Sequence, residues 1–391
     1  MPDTVDILIS GGGIAGLAAA AAFGAAGHSV LCVDPAPPVT DESDPAADLR
    51  TTALLQPSAR VLAAAGVWDR LLPHAQPLQT MRIVDAGGRV RRDFDAAEVS
   101  DQPFGWNFPN WLLRRELRAR IAELPAVRFR PGIGTDRLVA RQAEARVGLS
   151  DGARVVARLL VAADGRDSPM RAALGIGART IDYGQSAVVF AVAHDVPHQG
   201  VSTEIHDQGG PFTLVPLPDR DGAFRSAVVW MVPAAEARRL AALPEGAFAK
   251  AATARSFGLF GELRLASGRA LWPIIARLAD RFDGPSAALM AEAAHVVPPI
   301  GAQGLNMSLA DLGMLLQVTA AHGPGAAPGL AAYTRRRWPE VAARIAGVDL
   351  LNRASQAGNP ALKGLRAAGL GALHAPVPLR RALMRLGMGT G

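Results

Sequence analysis

Three glycines, Gly11, Gly13 and Gly16, constrain this chain more than any other feature. They are spaced G-x-G-x-x-G and sit between segments of opposite character. Before them, residues 5–10 form a short apolar run, as a buried parallel strand requires. After them, an alanine-rich segment reads as a helix to about Ala26. Gly27 ends it, and residues 29–33 read as a second strand ending in Asp34. Strand, glycine turn, helix, strand and acid in that order describe a dinucleotide-binding βαβ unit. Each position carries its own demand. Gly11 permits the tight turn, Gly13 lets a pyrophosphate approach backbone N–H groups at the positive helix end, and Gly16 lets the helix pack close. Asp34 can accept from adenosine ribose hydroxyls. A glycine-rich turn in some other α/β protein is the competing reading, and the full context favours the nucleotide.

Two further segments extend the pattern. Residues 159–171 read as a strand running into Asp164-Gly165, then a helix start with Ser168 as its cap. Residues 291–306 read as a strand ending in the acid Glu292, a Pro/Gly-rich loop, and a helix continuing to about Ala321.

In order and spacing these three segments resemble the class A flavoprotein aromatic hydroxylases, over roughly residues 5–338. Within that class, residues 48–54, 62–68, 210–217 and 298–306 resemble the ubiquinone-biosynthesis hydroxylases of the UbiH/Coq type. The resemblance implies FAD as bound cofactor, NAD(P)H as a transient co-substrate, O2, and ring hydroxylation of a polyprenylated phenol. It also implies site roles. Gly11, Gly13, Gly16 and Asp34 would hold the ADP half of FAD. Arg50 would reach the diphosphate or the flavin edge, and Arg114, in an Arg-x-x-Leu pattern with Leu117, would touch the cofactor from a helix. Asp164 and Gly165 would serve FAD and the nicotinamide. Glu292 would bind the ribityl chain, and Pro298, Gly301 and Gly304 would shape the loop beside the isoalloxazine. No side chain is assigned as catalytic, because the flavin carries the chemistry. Two positions depart from the family pattern: Ala291-Glu292 replaces the commoner Gly-Asp, and Asp34 the commoner Glu. Each would weaken FAD retention without abolishing it.

The residues leave alternatives open. Arg50 could be a surface residue and Asp164 a turn residue before Gly165. Arg114 shares its helix with Arg115, Arg118 and Arg120, so a solvated basic face competes evenly with a cofactor role. His295 receives no role. His194, His198 and His206 fit no compact ligand spacing and read as solvent-facing strand positions, so no metal is expected.

The fold class expected is α/β: a Rossmann-like FAD-binding domain interleaved with a β-sheet substrate domain, plus C-terminal helices. The boundaries are 1–75, 100–175 and 280–325 for the first, 76–99 and 176–279 for the second, and 326–391 for the third. Strands are expected at 187–192, 201–205, 212–217 and 225–231, with Phe212, Leu214 and Pro216 as candidates for the substrate pocket wall; core packing competes for at least half of them.

Composition then limits function. The 391 residues are 49% hydrophobic and 19% charged, which is globular. The formal charge is +6, yet Lys250 and Lys363 are the only lysines and no basic stripe interleaves with aromatics, so nucleic acid is disfavoured as a partner. Cys32 is the only cysteine and reads as a small core residue. No signal peptide or spanning segment is read, which implies a cytoplasmic protein, peripheral on the inner face of the cytoplasmic membrane if the tail engages it. After Asp349 there is no acid, while Arg353, Lys363, Arg366, Arg380, Arg381 and Arg385 interleave with leucines. A basic amphipathic tail suits an anionic membrane surface; a cap on the protein's own body is the equal alternative. Other ubiquinone-biosynthesis proteins are possible partners. The competing functions are a related FAD-dependent reductase or halogenase, and a degenerate flavoprotein scaffold.

Overall fold

The computed structural model describes residues 3–85, 90–207, 209–356 and 374–388. The glycine fingerprint lies where the sequence places it. Strand Asp3–Ser10 leads into helix Ile14–Ala25 and strand Val30–Asp34. Five strands run parallel in the order Ala287–Leu289, Arg154–Ala162, Asp3–Ser10, Val30–Asp34 and Val127–Pro131. Residues 7–10, 30–33 and 159–162 of the central strands are buried on both faces, which explains their unbroken apolar runs. Helix Ile14–Ala25 covers one face and itself lies under helices Asn110–Ala122 and Gln303–His322. It is buried from Gly16 to Gly24, so it needs small alanines rather than an amphipathic stripe. Cys32 is a fully buried core residue of the neighbouring strand.

A second sheet runs in the order His295–Val296, Ala270–Ala279, Ala178–His194, Ala223–Pro233, Pro211–Arg220, Val201–His206, Thr80–Asp85 and Val90–Asp95. It is antiparallel except where Val201–His206 pairs with Thr80–Asp85. Strands from both sides of Val127–Pro131 in sequence therefore share one sheet, and the chain crosses between layers repeatedly. A small third sheet joins Thr51–Leu55, Gly105–Pro109 and Gln76–Leu78.

Period-2 alternation gives the second sheet two distinct faces. One carries Phe190, Phe212, Leu214, Val228 and Trp230, packed against Leu240, Phe248 and Ala252 of helices Ala234–Ala241 and Glu245–Arg255. The other carries Ala187, Val189, Thr213, Val215 and Val229 and lines a cavity facing the parallel sheet. The expected pocket wall is thus corrected by one residue. Phe212 and Leu214 are fully buried on the helix-covered side, and their neighbours Thr213 and Val215 form the wall. Pro216 is buried too, and its carbonyl accepts from Asn107 Nδ2 at 2.8 Å.

The three histidines also depart from expectation. His194, His198 and His206 are buried rather than solvent-facing. His194 bonds the Val196 carbonyl at 2.8 Å and Ser226 Oγ at 3.0 Å, and His198 Nε2 bonds the Leu217 carbonyl at 3.2 Å. These partners make burial tolerable.

Helix Ala327–Gln356 leads toward the tail, and Val377–Met388 returns over the cavity. Arg380 pairs with Glu98 at 2.7 Å, and the His374 ring meets Phe94 edge-on. Lys363, Arg366 and the leucines at 362, 365 and 373 lie outside the described residues. Among the described residues, no helix is long and apolar enough to cross a membrane.

Candidate functional site

The fingerprint glycines differ in what forbids a side chain. At Gly11, with φ +109°, a Cβ would lie 2.2 Å from the Ala163 carbonyl oxygen. At Gly16 it would lie 1.9 Å from the Gly11 carbonyl oxygen. Both are demanded by backbone against backbone. A Cβ on Gly13 meets nothing within 4 Å, because that position faces the cavity. Gly304, in the first turn of Gln303–His322, is open in the same way.

Two long helices therefore begin at one cavity. Neither Gly13 nor Ala302, their N-cap residues, offers a side-chain hydrogen bond to the first turn. Uncapped N–H groups beside open space form an anion-binding end, and the macrodipole adds to it. The cavity volume is about 800 Å³, enough for an extended cofactor segment and a ring. Trp272 Nε1 and Asn107 Oδ1, both on residues lining it, are buried polar atoms without a partner among the described residues. The residues present fit an FAD cradle.

Asp34 lies at the end of its strand. Its carboxylate accepts from Gly12 N at 2.5 Å and from Ala36 N at 2.8 Å, so it also shapes the glycine loop. Arg50 and Arg114 both line the cavity, and one buried carboxylate joins them. Asp48 accepts from Arg50 at 2.8 Å, from Arg114 at 3.1 Å and from Asn110 Nδ2 at 2.9 Å. Burial alone would raise the Asp48 carboxyl, but the hydrogen bonds and charge of Arg50, with help from Asn110, hold it at about 2. Arg50 also lies over the Trp272 ring, its Cζ 3.8 Å from the centroid. Asp48 was not singled out by sequence reasoning. The available signal was its place two residues before Arg50, the spacing of a turn in which it accepts the Arg50 N–H. Arg114 points inward, while Arg115 and Arg120 pair with Glu116 and Glu123.

Asp164 takes a different place from Gly165. Gly165, at φ +86°, lines the cavity. The Asp164 carboxylate accepts from Ser168 Oγ at 2.5 Å and from Met170 N at 3.0 Å, bracing the start of helix Pro169–Ala173. Burial pushes its carboxyl above the ordinary value despite these bonds. Ser168 caps that helix by accepting from Arg171 N.

Glu292 lines the cavity from a single 3₁₀ turn, Ala291–Ala293, and accepts from Arg166 Nε at 3.2 Å. Pro298, Gly301 and Gly304 form the adjoining wall. Asn306 fixes that wall to Thr51–Leu55. It accepts from Leu55 N at 2.9 Å and Ser58 Oγ at 2.6 Å and donates to the Ala53 and Ala302 carbonyls. Behind the loop, His295 Nε2 meets buried Asp311 at 2.6 Å, and Arg337 Nε donates to the same carboxylate at 2.9 Å. Burial would raise Asp311, but the charges and hydrogen bonds of His295 and Arg337 hold it low.

The loop carries two left-handed alanines, Ala291 at φ +57° and Ala302 at φ +55°. A left-handed L-residue costs roughly 1–2 kcal/mol. At Ala291 a glycine would relieve this but lose a buried methyl worth about 0.8 kcal/mol, leaving little net gain. Ala302 is only half-buried and occupies an N-cap, where glycine outranks alanine. Ala302→Gly is therefore expected to stabilise the chain by about 0.5–1 kcal/mol. Thermal unfolding of the FAD-free protein checks this; an unchanged or lowered Tm contradicts it.

The family model described as FAD binding domain matches residues 4–347. Ubiquinone hydroxylase UbiL of Rhodospirillum rubrum is 35% identical, over 98% of this chain and 90% of its own. The 3-demethoxyubiquinol 3-hydroxylase of Escherichia coli is 27% identical over 98% of both. Among solved structures, p-nitrophenol 4-monooxygenase PnpA of Pseudomonas putida superposes with a TM-score of 0.79 at 18% identity, covering 100% of this chain and 99% of that one. PqsL of P. aeruginosa in complex with 2-aminobenzoylacetate also gives 0.79, at 23% identity, covering 95% and 100%. At these identities the solved structures speak for the fold.

Proposed function

The chain belongs to the FAD binding domain family, and from that premise we propose that it is an FAD-dependent monooxygenase hydroxylating the ring of a polyprenylated phenol in ubiquinone biosynthesis. The observation that carries this reading is the single cavity shared by two uncapped helix N-termini and the apolar face of the second sheet. One end suits a dinucleotide and the other an apolar ring. The similarity to UbiL and to the E. coli hydroxylase supports the substrate class.

Gly11, Gly13, Gly16 and Asp34 would hold the ADP half of FAD. Arg50 and Arg114, joined by Asp48, would face the diphosphate or the flavin edge. Gly165 would lie beside the cofactor, with Asp164 bracing it. Glu292 would take a ribityl hydroxyl, and the N–H groups at Gly301–Gly304 would face the flavin. When bound, FAD supplies the activation of O2, with electrons from NAD(P)H that visits without a domain of its own. The protein's part is to orient the ring, exclude water and stabilise charge. Metabolite analysis of a deletion strain tests this reading. Accumulation of an unhydroxylated prenylphenol supports it; an unchanged quinone pool with no accumulated intermediate removes it.

Attachment to the inner face of the cytoplasmic membrane belongs to the same reading. Leu350, Leu351, Val377, Leu379 and Leu386 are exposed, and Leu351, Leu383 and Met384 line the cavity. An apolar rim at the mouth suits delivery of a lipid-soluble substrate. Arg353 and Arg380 already pair with Asp349 and Glu98, so within the described residues the rim offers more to the surface than those two charges do. Co-sedimentation with anionic vesicles is expected to fall on Leu350→Ser with Leu386→Ser, and to weaken with salt. Equal sedimentation of parent and variant, or no preference for anionic over neutral lipid, contradicts it.

A further inference from the structure

We propose that Glu204 and His206 form an acid–base dyad that takes the proton from the ring hydroxyl of the phenolic substrate. The proposal rests on the hydroxylase reading and names the residues that activate the ring. Strand Val201–His206 alternates, so Ile205 packs under the helices while Ser202 and Glu204 line the cavity. Glu204 stands in register between Ile83 and Thr213, both on the same wall. It is a carboxylate only 7% exposed on a largely apolar surface. Such a group is costly unless it is paired or put to use.

Its partner defines the chemistry. Glu204 Oε1 lies 2.7 Å from His206 Nε2. A carboxylate only accepts, so Nε2 carries a hydrogen and donates it to Oε1. Nδ1 is buried, with no hydrogen-bond partner among the described residues. Among the described residues no group donates to Glu204 Oε2, which leaves that oxygen to a donor in the cavity. Asp85 stands in register with His206, and Arg255 of helix Glu245–Arg255 donates to the Ile205 carbonyl between the two residues of the pair. On the other side Thr213 and Val229 bring no charge, and the helix across the cavity contributes Leu383 and Met384.

The step balances without a new co-reactant. The phenol O–H bond breaks and an O–H bond forms at Glu204 Oε2. The electron pair stays on the substrate oxygen and enters the ring, making its ortho and para carbons nucleophilic. Oxygen and the two electrons come from O2 and NAD(P)H, as the hydroxylase reading already requires. When the oxygenated ring regains aromaticity its C–H proton leaves to water, offsetting a proton taken up as the second oxygen atom of O2 becomes water, and Glu204 returns the borrowed proton to the phenolate. The dyad ends as it began.

Glu204→Gln in the FAD-loaded protein tests this, because the amide keeps the size and removes the base. The first readout is binding of 4-nitrophenol below its solution pKa, where its phenolate band is weak. The parent is expected to raise the band on binding, and the variant not to. The second is coupled hydroxylation of a short-chain prenylphenol. Its kcat/KM is expected to fall by about 10²-fold or more, with flavin reduction by NAD(P)H unchanged. His206→Phe, which fills the same volume, should weaken both readouts in the same direction. Phenolate stabilised equally by parent and Glu204→Gln, or by neither, overturns the dyad. A parent that stabilises phenolate in a Glu204-dependent way yet hydroxylates no phenol supports the dyad and removes the hydroxylase reading instead.

Discussion

Gly13→Val is expected to fold as the parent does and to emerge without FAD. A Cβ at Gly13 meets nothing within 4 Å, and the backbone there is ordinary, with φ −66° and ψ 176°. The protein alone therefore tolerates a side chain. The space the branched chain would fill is the approach to the uncapped first turn of Ile14–Ala25. Losing two charge-assisted hydrogen bonds of a pyrophosphate to that turn costs roughly 3–6 kcal/mol, or about 10²–10⁴ in Kd. A poorer N-cap residue costs about 1 kcal/mol of helix stability, a smaller effect. Gly16→Ala behaves oppositely. Its Cβ would collide with the Gly11 carbonyl, so the fold suffers before the ligand does. Flavin absorbance per chain, measured with excess FAD alongside thermal unfolding of the FAD-free protein, separates the two. Gly13→Val retaining FAD at parent affinity would place the dinucleotide elsewhere.

That contrast also marks what was legible in the sequence. The parallel core was, because strand, glycine turn and helix are local patterns with local causes. The strands of the second sheet were too, since alternation survives in the text: 212–217 falls within Pro211–Arg220, and 225–231 within Ala223–Pro233. Which face of that sheet meets the cavity was not. Alternation separates Phe212 and Leu214 from Thr213 and Val215 but does not say which set the helices cover. Hydrophobicity favoured the wrong set, because helices Ala234–Ala241 and Glu245–Arg255 claim the larger side chains. The histidines failed for a similar reason. His194 and His206 looked polar in sequence, yet Ser226 and Glu204, distant or two residues away, supply the bonds that let them be buried. Asp48 escaped notice because its importance comes from Arg114, 66 residues further on. Partners joined only by tertiary contact leave no mark on a local window.

Arg337→Met should cost the folded chain about 3–5 kcal/mol, because it takes the permanent cation from a buried carboxylate and leaves His295 as its one charged partner among the described residues. Asp311 is fully buried, and its carboxylate is shared by His295 Nε2 and Arg337 Nε. Arg337 is 3% exposed and also donates to the Met307 carbonyl, so methionine fills its volume but restores none of its hydrogen bonds. The pH dependence has a definite sign. Asp311 is held below the ordinary carboxylate range, so its contribution is present above about pH 4 and is lost as pH falls through its folded value. Without Arg337, protonating Asp311 becomes the cheaper way to bury it. The stability gap between parent and variant is therefore widest near neutrality and narrows in acid. Adding Asp311→Leu removes the stranded charge and should recover part of the loss, as buried pairs replaced by apolar residues do. Thermal unfolding of the parent, both single variants and the double variant across pH checks the sign and the coupling. Strict additivity of the two substitutions would mean that Asp311 and Arg337 do not act as a pair. Coupling would mean that the Arg337–Asp311 bond ties helix Gln303–His322 to helix Ala327–Gln356.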